Sequence, residues 1–267
     1  MAERIRVDVK NGVADVRLVR TDKMNALDDA MFEALVDTAA MLETRADVRC
    51  VVLSGEGRAF CAGLDMQSFG AMAKGTGNGV SRRPLAERTH GLTNRPQQAV
   101  WGWRNLRVPV IAAVHGVALG GGFQVMLGAD IRITHPDTKL SILEIKWGLV
   151  PDMGSTAIMR RLAREDVIRE LTFTGRIFSG REALEHGFAT RLSEKPLEDA
   201  FDLAADIASR SPDAIQAAKR LYNDLADRDT AGALLAESEI QDELIGRPNQ
   251  MEAVIAGMEN RPGKFKD

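Results

Sequence analysis

The chain is poor in the features that would place it in a specialised class. It has only two cysteines, Cys50 and Cys61, both inside apolar runs. A disulfide framework is excluded, and two reduced thiols acting as small hydrophobes are what a cytoplasmic location predicts. Neither sign of charge dominates: 35 Lys and Arg stand against 38 Asp and Glu, a net charge of -3. The electrostatic footprint of a general nucleic-acid binder is therefore missing, and no nucleic-acid partner is expected. The first residues, Met-Ala-Glu-Arg-Ile-Arg-Val, lack the apolar segment of a signal peptide. One long stretch, residues 108–129, has no Asp, Glu, Lys or Arg, but it contains Pro109, His115, Gln124 and the run Gly120-Gly121-Gly122. A buried strand, a turn and a buried helix account for it better than a membrane span. There is no G-x-S-x-G elbow for a serine hydrolase, and His90, His115, His135 and His186 lack metal-ligand spacing.

What is present reads as a globular α/β chain. At 267 residues, with 45% hydrophobic and 27% charged composition, it can close a core without staples, and its length lies between one and two domains. Residues 4–9 and 13–19 alternate apolar and polar around Asn11-Gly12, the signature of a hairpin. Leu27, Met31, Leu35 and Leu42 follow a helical period behind Asp28-Asp29, and the apolar strand Cys50-Val51-Val52-Leu53 comes next. The same logic recurs in a strand at residues 110–114, a helix opening near Gly121 and a strand at residues 131–134. Parallel strands with helices outside follow. Residues 73–96 show little periodicity and read as a surface segment of the kind that forms binding lids. From Pro196 the pattern is helical, with Leu203, Ile207, Ile215, Ala218, Leu221 and Leu225 at helical spacings. This divides the chain into a core, residues 1–195, and a helical region, residues 196–267.

Two glycine clusters exceed what a bland core needs. The first runs from Ser54 to Asp65 and includes Gly55, Gly57 and Gly63; its spacing does not fit a dinucleotide fingerprint. The second, Gly120-Gly121-Gly122, stands where a helix opens. Amides there are unshielded by side chains, and the helix dipole favours negative charge, so the cluster reads as an oxyanion site or, more blandly, as tight packing.

Taken together, Lys23-Met24-Asn25-Ala26-Leu27, Phe60-Cys61-Ala62-Gly63-Leu64-Asp65, Ala118-Leu119-Gly120-Gly121-Gly122 and Gly148-Leu149-Val150-Pro151-Asp152-Met153-Gly154 closely resemble the crotonase superfamily of enoyl-CoA hydratases and isomerases. Within it, the site pattern is most similar to dienoyl-CoA isomerases. The resemblance implies a crotonase-like spiral of strand-strand-helix units, a C-terminal helical trimerisation region, and a homotrimer or dimer of trimers. It implies acyl-CoA thioester substrates and no separate cofactor, since coenzyme A is part of the substrate. The amides of Leu64 and Gly121 would hold the thioester oxygen. Lys23, Met24, Ala26, Ala62, Gly63, Asp65, Met66 and Gly120 would line the CoA site, with Lys264 and Lys266 near its phosphates.

The hydratase pattern places glutamates where this chain has Gln124 and Glu144. A glutamine does not exchange a proton at neutral pH, which argues against classical hydration. Asp152 matches the aspartate of the dienoyl-CoA isomerases, although that pattern also carries an aspartate where Gln124 stands. The favoured reading is double-bond isomerisation with Glu144 and Asp152 as a proton shuttle. The alternatives are a hydratase in which Glu144 acts while Gln124 orients water, and a non-catalytic acyl-CoA-binding subunit. Taken singly, Asp152 also reads as a helix N-cap and Glu144 as a surface residue. Phe69, Met72, Trp101 and Trp103 are candidates for an acyl-pocket wall or for core.

Overall fold

The computed structural model describes residues 3–74 and 84–267. The N-terminal hairpin is β1 (Ile5–Lys10) and β2 (Val13–Leu18), followed by α1 (Asp29–Glu43) and β3 (Cys50–Gly55). Next come α2 (Met66–Ala73), α3 (Arg95–Asn105), β4 (Val110–Val114), β5 (Val117–Leu119) and α4 (Gly121–Leu127). β6 (Ile131–Thr134), β7 (Lys139–Ser141), α5 (Ser155–Met159), α6 (Glu165–Thr174), β8 (Phe178–Ser179), α7 (Gly180–His186) and β9 (Arg191–Leu192) complete the central part. Four helices close the chain: α8 (Pro196–Ala208), α9 (Pro212–Asp224), α10 (Thr230–Leu244) and α11 (Pro248–Met258).

One sheet runs in the order β1-β2-β3-β4-β6-β9, antiparallel only at the hairpin and parallel beyond it. A smaller sheet, β5-β7-β8, lies beside it, and single bridges pairing Leu27 with Leu64 and Cys61 with Ala118 continue the same layer. Each turn of the chain thus gives one strand to the large sheet, a short extended piece to the small layer, and a helix. This is the expected spiral of strand-strand-helix units. The short pieces escaped the sequence reading because two or three residues carry no periodicity.

β3 is buried on both faces, so its residues sort by alternation. Val51 and Leu53 face the main core with Leu27, Met31, Leu35 and Leu42 of the α1 region, Trp103 of α3 and Phe123 of α4. Cys50 and Val52 face the other way and pack with Ile111, Ala113 and Ile133 against Ala200, Ala204 and Ala208 of α8. The alanines let α8 lie close, so the helical region begins with an element that covers the sheet. In α9 the inward register differs from expectation. Ala218 is exposed, while Ala217 and Lys219 turn inward. Lys219 Nζ meets Asp130 Oδ2 at 2.7 Å and donates to the carbonyls of Val108 (2.9 Å) and Trp103 (3.3 Å). Asp130 also accepts from Val110 N at 2.8 Å, which ties α9 to the start of β4.

Residues 75–83, the middle of the expected lid, lie outside the described residues. Past them the chain stays irregular up to Asn94, which opens α3 with a capping box to Gln97 and a proline in the first turn. The charge-free stretch resolves into β4, β5 and α4, and among the described residues no helix is long and apolar enough to cross a membrane.

Candidate active site

The site forms where three segments meet beyond the C-terminal ends of β3 and β4. At residue 64 the chain runs parallel to Leu27: Leu27 N–H donates to Gly63 O (2.8 Å) and Asp65 N–H to Leu27 O (3.0 Å). The alternation of a parallel bridge turns the N–H of Leu64 itself to the opposite side. Gly121 is the first residue of α4, so its N–H is one of those left without an intrahelical acceptor. Glycine is required on both sides. A methyl group on Gly63, at φ +88°, would lie 2.5 Å from Leu119 O and 3.7 Å from Gly121 N. One on Gly122 would lie 2.2 Å from Cys61 O. The two amide-bearing segments therefore approach as closely as backbone allows.

Glu144 enters on a turn of 3-10 helix, Glu144–Trp147. Its Oε1 accepts a 2.6 Å hydrogen bond from Gln124 Nε2 and would be 3.5 Å from a methyl group on Gly120. Its Oε2 is buried without a hydrogen-bond partner. Burial pushes the carboxyl above the usual glutamate range, and the charge of Asp152 pushes it further, against the lowering effect of the Gln124 bond. Glu144 is thus no surface residue. Asp152 stays open to solvent, yet the surrounding protein raises its pKa too. It does not cap the next helix, because Gly154 occupies the N-cap of α5.

Gln124, 1% exposed, has its polar atoms committed. Its Oε1 accepts from Met153 N (2.9 Å) and Ser155 Oγ (2.8 Å) while its Nε2 donates to Glu144. From the sequence, Gln124 is expected among the catalytic residues, orienting water in the hydratase alternative. The structure instead makes it a brace between the two segments that carry Glu144 and Asp152, because an oxygen already accepting twice has little left for water. The sequence does not point to Ser155 or the Met153 amide, because both act through a hydrogen bond to a residue about thirty positions away.

The candidate CoA residues divide into three groups. Lys23, Met24 and Ala26 sit in a tight loop with Met24 and Asn25 at positive φ, and Ala62 N–H donates to Met24 O at 2.9 Å, so this loop and residues 62–66 form one unit. Lys23 and Met66 are exposed there, as a ligand-facing role needs. Asp65 is corrected. It is 5% exposed, paired with Arg20 at 2.7 Å and hydrogen-bonded to Gln67 N at 2.7 Å, so its carboxylate is consumed in holding the loop. Arg20 also donates to Ala26 O at 2.9 Å and lies 3.5 Å from Asp28. Lys264 and Lys266 are not brought to the site within the chain. Their tail is anchored by Arg49, just before β3, through Phe265 O (3.1 Å) and Asp267 (2.6 Å). That is the opposite end of the parallel strands.

Of the proposed pocket-wall residues, Trp103 is core, whereas Trp101 is half-buried with its indole nitrogen against Gly154. Phe69 stacks on Trp147 at 4.3 Å between ring centres. The Met72 side chain lies outside the described residues. His115 packs in its turn, with Nε2 2.9 Å from Gly57 O. Both cysteines are buried, their thiols pushed up to about 12 by desolvation. Among the described residues no group of His, Cys, Asp and Glu could hold a metal ion.

The family described as enoyl-CoA hydratase/isomerase matches the chain over residues 8–267. This chain belongs to the enoyl-CoA hydratase/isomerase family. Relatives within the family point to more than one reaction. The mitochondrial Delta(3,5)-Delta(2,4)-dienoyl-CoA isomerase of Rattus norvegicus is 34% identical over 212 residues, 78% of this chain and 64% of its own length. A probable enoyl-CoA hydratase of Bacillus subtilis (strain 168) is 31% identical over 94% of both chains. Among solved structures, an enoyl-CoA hydratase from Bacillus anthracis superposes with a TM-score of 0.87 at 27% identity, covering 99% of each chain. A putative enoyl-CoA hydratase from Streptomyces coelicolor A3(2) superposes with 0.86 at 32% identity, covering 99% of this chain and 94% of the other. The chain therefore has the crotonase fold of this family, and it spans about 64% of the length of the first-matching curated relatives.

Proposed function

We propose that this chain isomerises double bonds in enoyl- or dienoyl-CoA thioesters, with Glu144 and Asp152 shuttling the proton. One carboxylate takes a proton from C2 of a 3-enoyl or 3,5-dienoyl thioester. The electron pair passes into the thioester carbonyl, whose oxygen is held by the N–H groups of Leu64 and Gly121, an interaction worth roughly 3 kcal/mol per donor in comparable sites. The pair then shifts along the chain as the proton returns at C4 or C6, and the double bonds end up conjugated with the carbonyl. Atoms and charge balance without a further reactant, so coenzyme A enters only as part of the substrate.

The observation that carries this reading is the asymmetry of Glu144: one oxygen braced by Gln124, the other buried and unpartnered. Hydration asks for a second proton-exchanging group to work on water, and Gln124 is an amide with a saturated oxygen. Likeness to the Bacillus subtilis probable hydratase keeps hydration, with Glu144 acting beside Gln124, as the second reading. A homotrimer or dimer of trimers is part of the proposal. Met251, Val254, Ile255 and Met258 form an exposed apolar stripe along α11, spaced as one helix face, and Leu234 and Leu235 of α10 are exposed as well.

The test is turnover of a 2-enoyl-, a 3-enoyl- and a 3,5-dienoyl-CoA by the wild-type chain, Glu144→Gln and Asp152→Asn, with exchange of the C2 proton followed in deuterated water. Isomerisation lost in both variants supports the shuttle, and the variant that also loses C2 exchange identifies the base. Efficient hydration of the 2-enoyl thioester, indifferent to Asp152→Asn, would favour the second reading. Inertness toward all three would leave an acyl-CoA-binding subunit.

A further inference from the structure

Gln124 could adopt two amide orientations that differ only by exchange of its oxygen and nitrogen. The peptide N–H of Met153 settles which one is present, because it can only donate, so the atom 2.9 Å away must be Oε1. Ser155 Oγ, on a residue buried completely, adds a second donor to that oxygen at 2.8 Å. Nε2 is thereby directed at Glu144 Oε1 and leaves Oε2 buried without a hydrogen-bond partner. We infer that Ser155 is a positioning residue that acts through Gln124 to hold the Glu144 carboxylate, and that the same brace fixes the Asp152-Met153 peptide relative to it.

Among the described residues, burial raises the Glu144 carboxyl and the like charge of Asp152 adds to it, while backbone hydrogen bonds and the Gln124 donor oppose them. Weakening the Oε1 anchor lets the amide swing, removes that donor from the ionised form of Glu144, and makes the carboxylate harder to ionise. This inference rests on Glu144 being the working carboxylate proposed above.

The experiment is a double-mutant cycle of Ser155→Ala and Gln124→Met in the full-length protein, on the thioester that the wild-type chain turns over fastest. Ser155→Ala is expected to lower kcat roughly 3- to 10-fold, the worth of one hydrogen bond, with KM unchanged. The acidic limb of the kcat/KM profile should move to higher pH. Gln124→Met should move it the same way, and Ser155→Ala should add nothing in that background. Additive losses, or a lower kcat with the limb unmoved, would overturn the inference and leave Ser155 as packing. Glu144→Gln separates the two levels. If it is inactive while Ser155→Ala behaves as wild type, only the positioning role fails; if it stays active, the proposed function fails and the inference falls with it.

Discussion

Glu144, the proposed working carboxylate, costs the fold stability at neutral pH because it is buried. Its pKa is raised in the folded chain above the ordinary glutamate value of 4.5, so between the unfolded and folded values the native state holds the extra proton. Stability therefore falls as pH rises through that window, and the full cost persists above it. Glu144→Gln is expected to melt at a higher temperature than the wild type at neutral pH, to lose that advantage below about pH 4.5, and to turn over at least about 100-fold more slowly. Paired thermal melts and rates against pH check both. The cysteines make the opposite point, since nothing in the site uses them. Native protein should leave both thiols unreacted with a mild disulfide reagent and expose them only on unfolding, and rapid native labelling would contradict their burial.

Among the elements, the glycines of the β5–α4 corner differ in what surrounds them. A methyl group on Gly121 would meet the Leu27 Cδ1 and Met153 Sδ, ends of side chains that can shift, whereas on Gly122 it would meet the Cys61 carbonyl, which cannot. Gly121→Ala is thus expected to keep the fold and lose activity by displacing its own amide. Gly122→Ala should lower the denaturation midpoint as well, and equal midpoints would show that the corner relaxes. At the other end of the sheet, Lys219→Met strands the Asp130 carboxylate. Removing one partner of a buried pair costs about 3–5 kcal/mol, so urea unfolding should register a loss of that order. The helix periods of α1 and the glycine clusters were legible from the sequence because each is local. Lys219 was not, because its inward turn is decided by an aspartate and two carbonyls far away in the chain.

For the whole molecule, the exposed apolar stripe of α11 is the face on which the proposed assembly is tested. Sedimentation or light scattering should give a mass of three or six times the 29.1 kDa chain, and Val254→Glu with Met258→Glu should release smaller species. A wild-type monomer at micromolar concentration would defeat the proposed assembly. The tail carrying Lys264 and Lys266 has a related consequence: since Arg49 holds it at the far end of its own sheet, neutralising both lysines should leave the braced Glu144 geometry, and hence kcat, unchanged. Any loss should appear in KM.

The main helices, the long strands of the parallel sheet and the glycines that let two backbone segments touch could be read from sequence, because periodicity and glycine spacing are properties of neighbouring residues, and the family was legible as a resemblance of four motifs. Only the folded chain decided how side chains distant in sequence share atoms. Sequence alone does not show that Arg20 holds the Asp65 carboxylate, or that Met153 N and Ser155 Oγ fix the Gln124 amide. Hydrogen-bond partners and burial depend on which surfaces meet, and that information exists only once the spiral has closed.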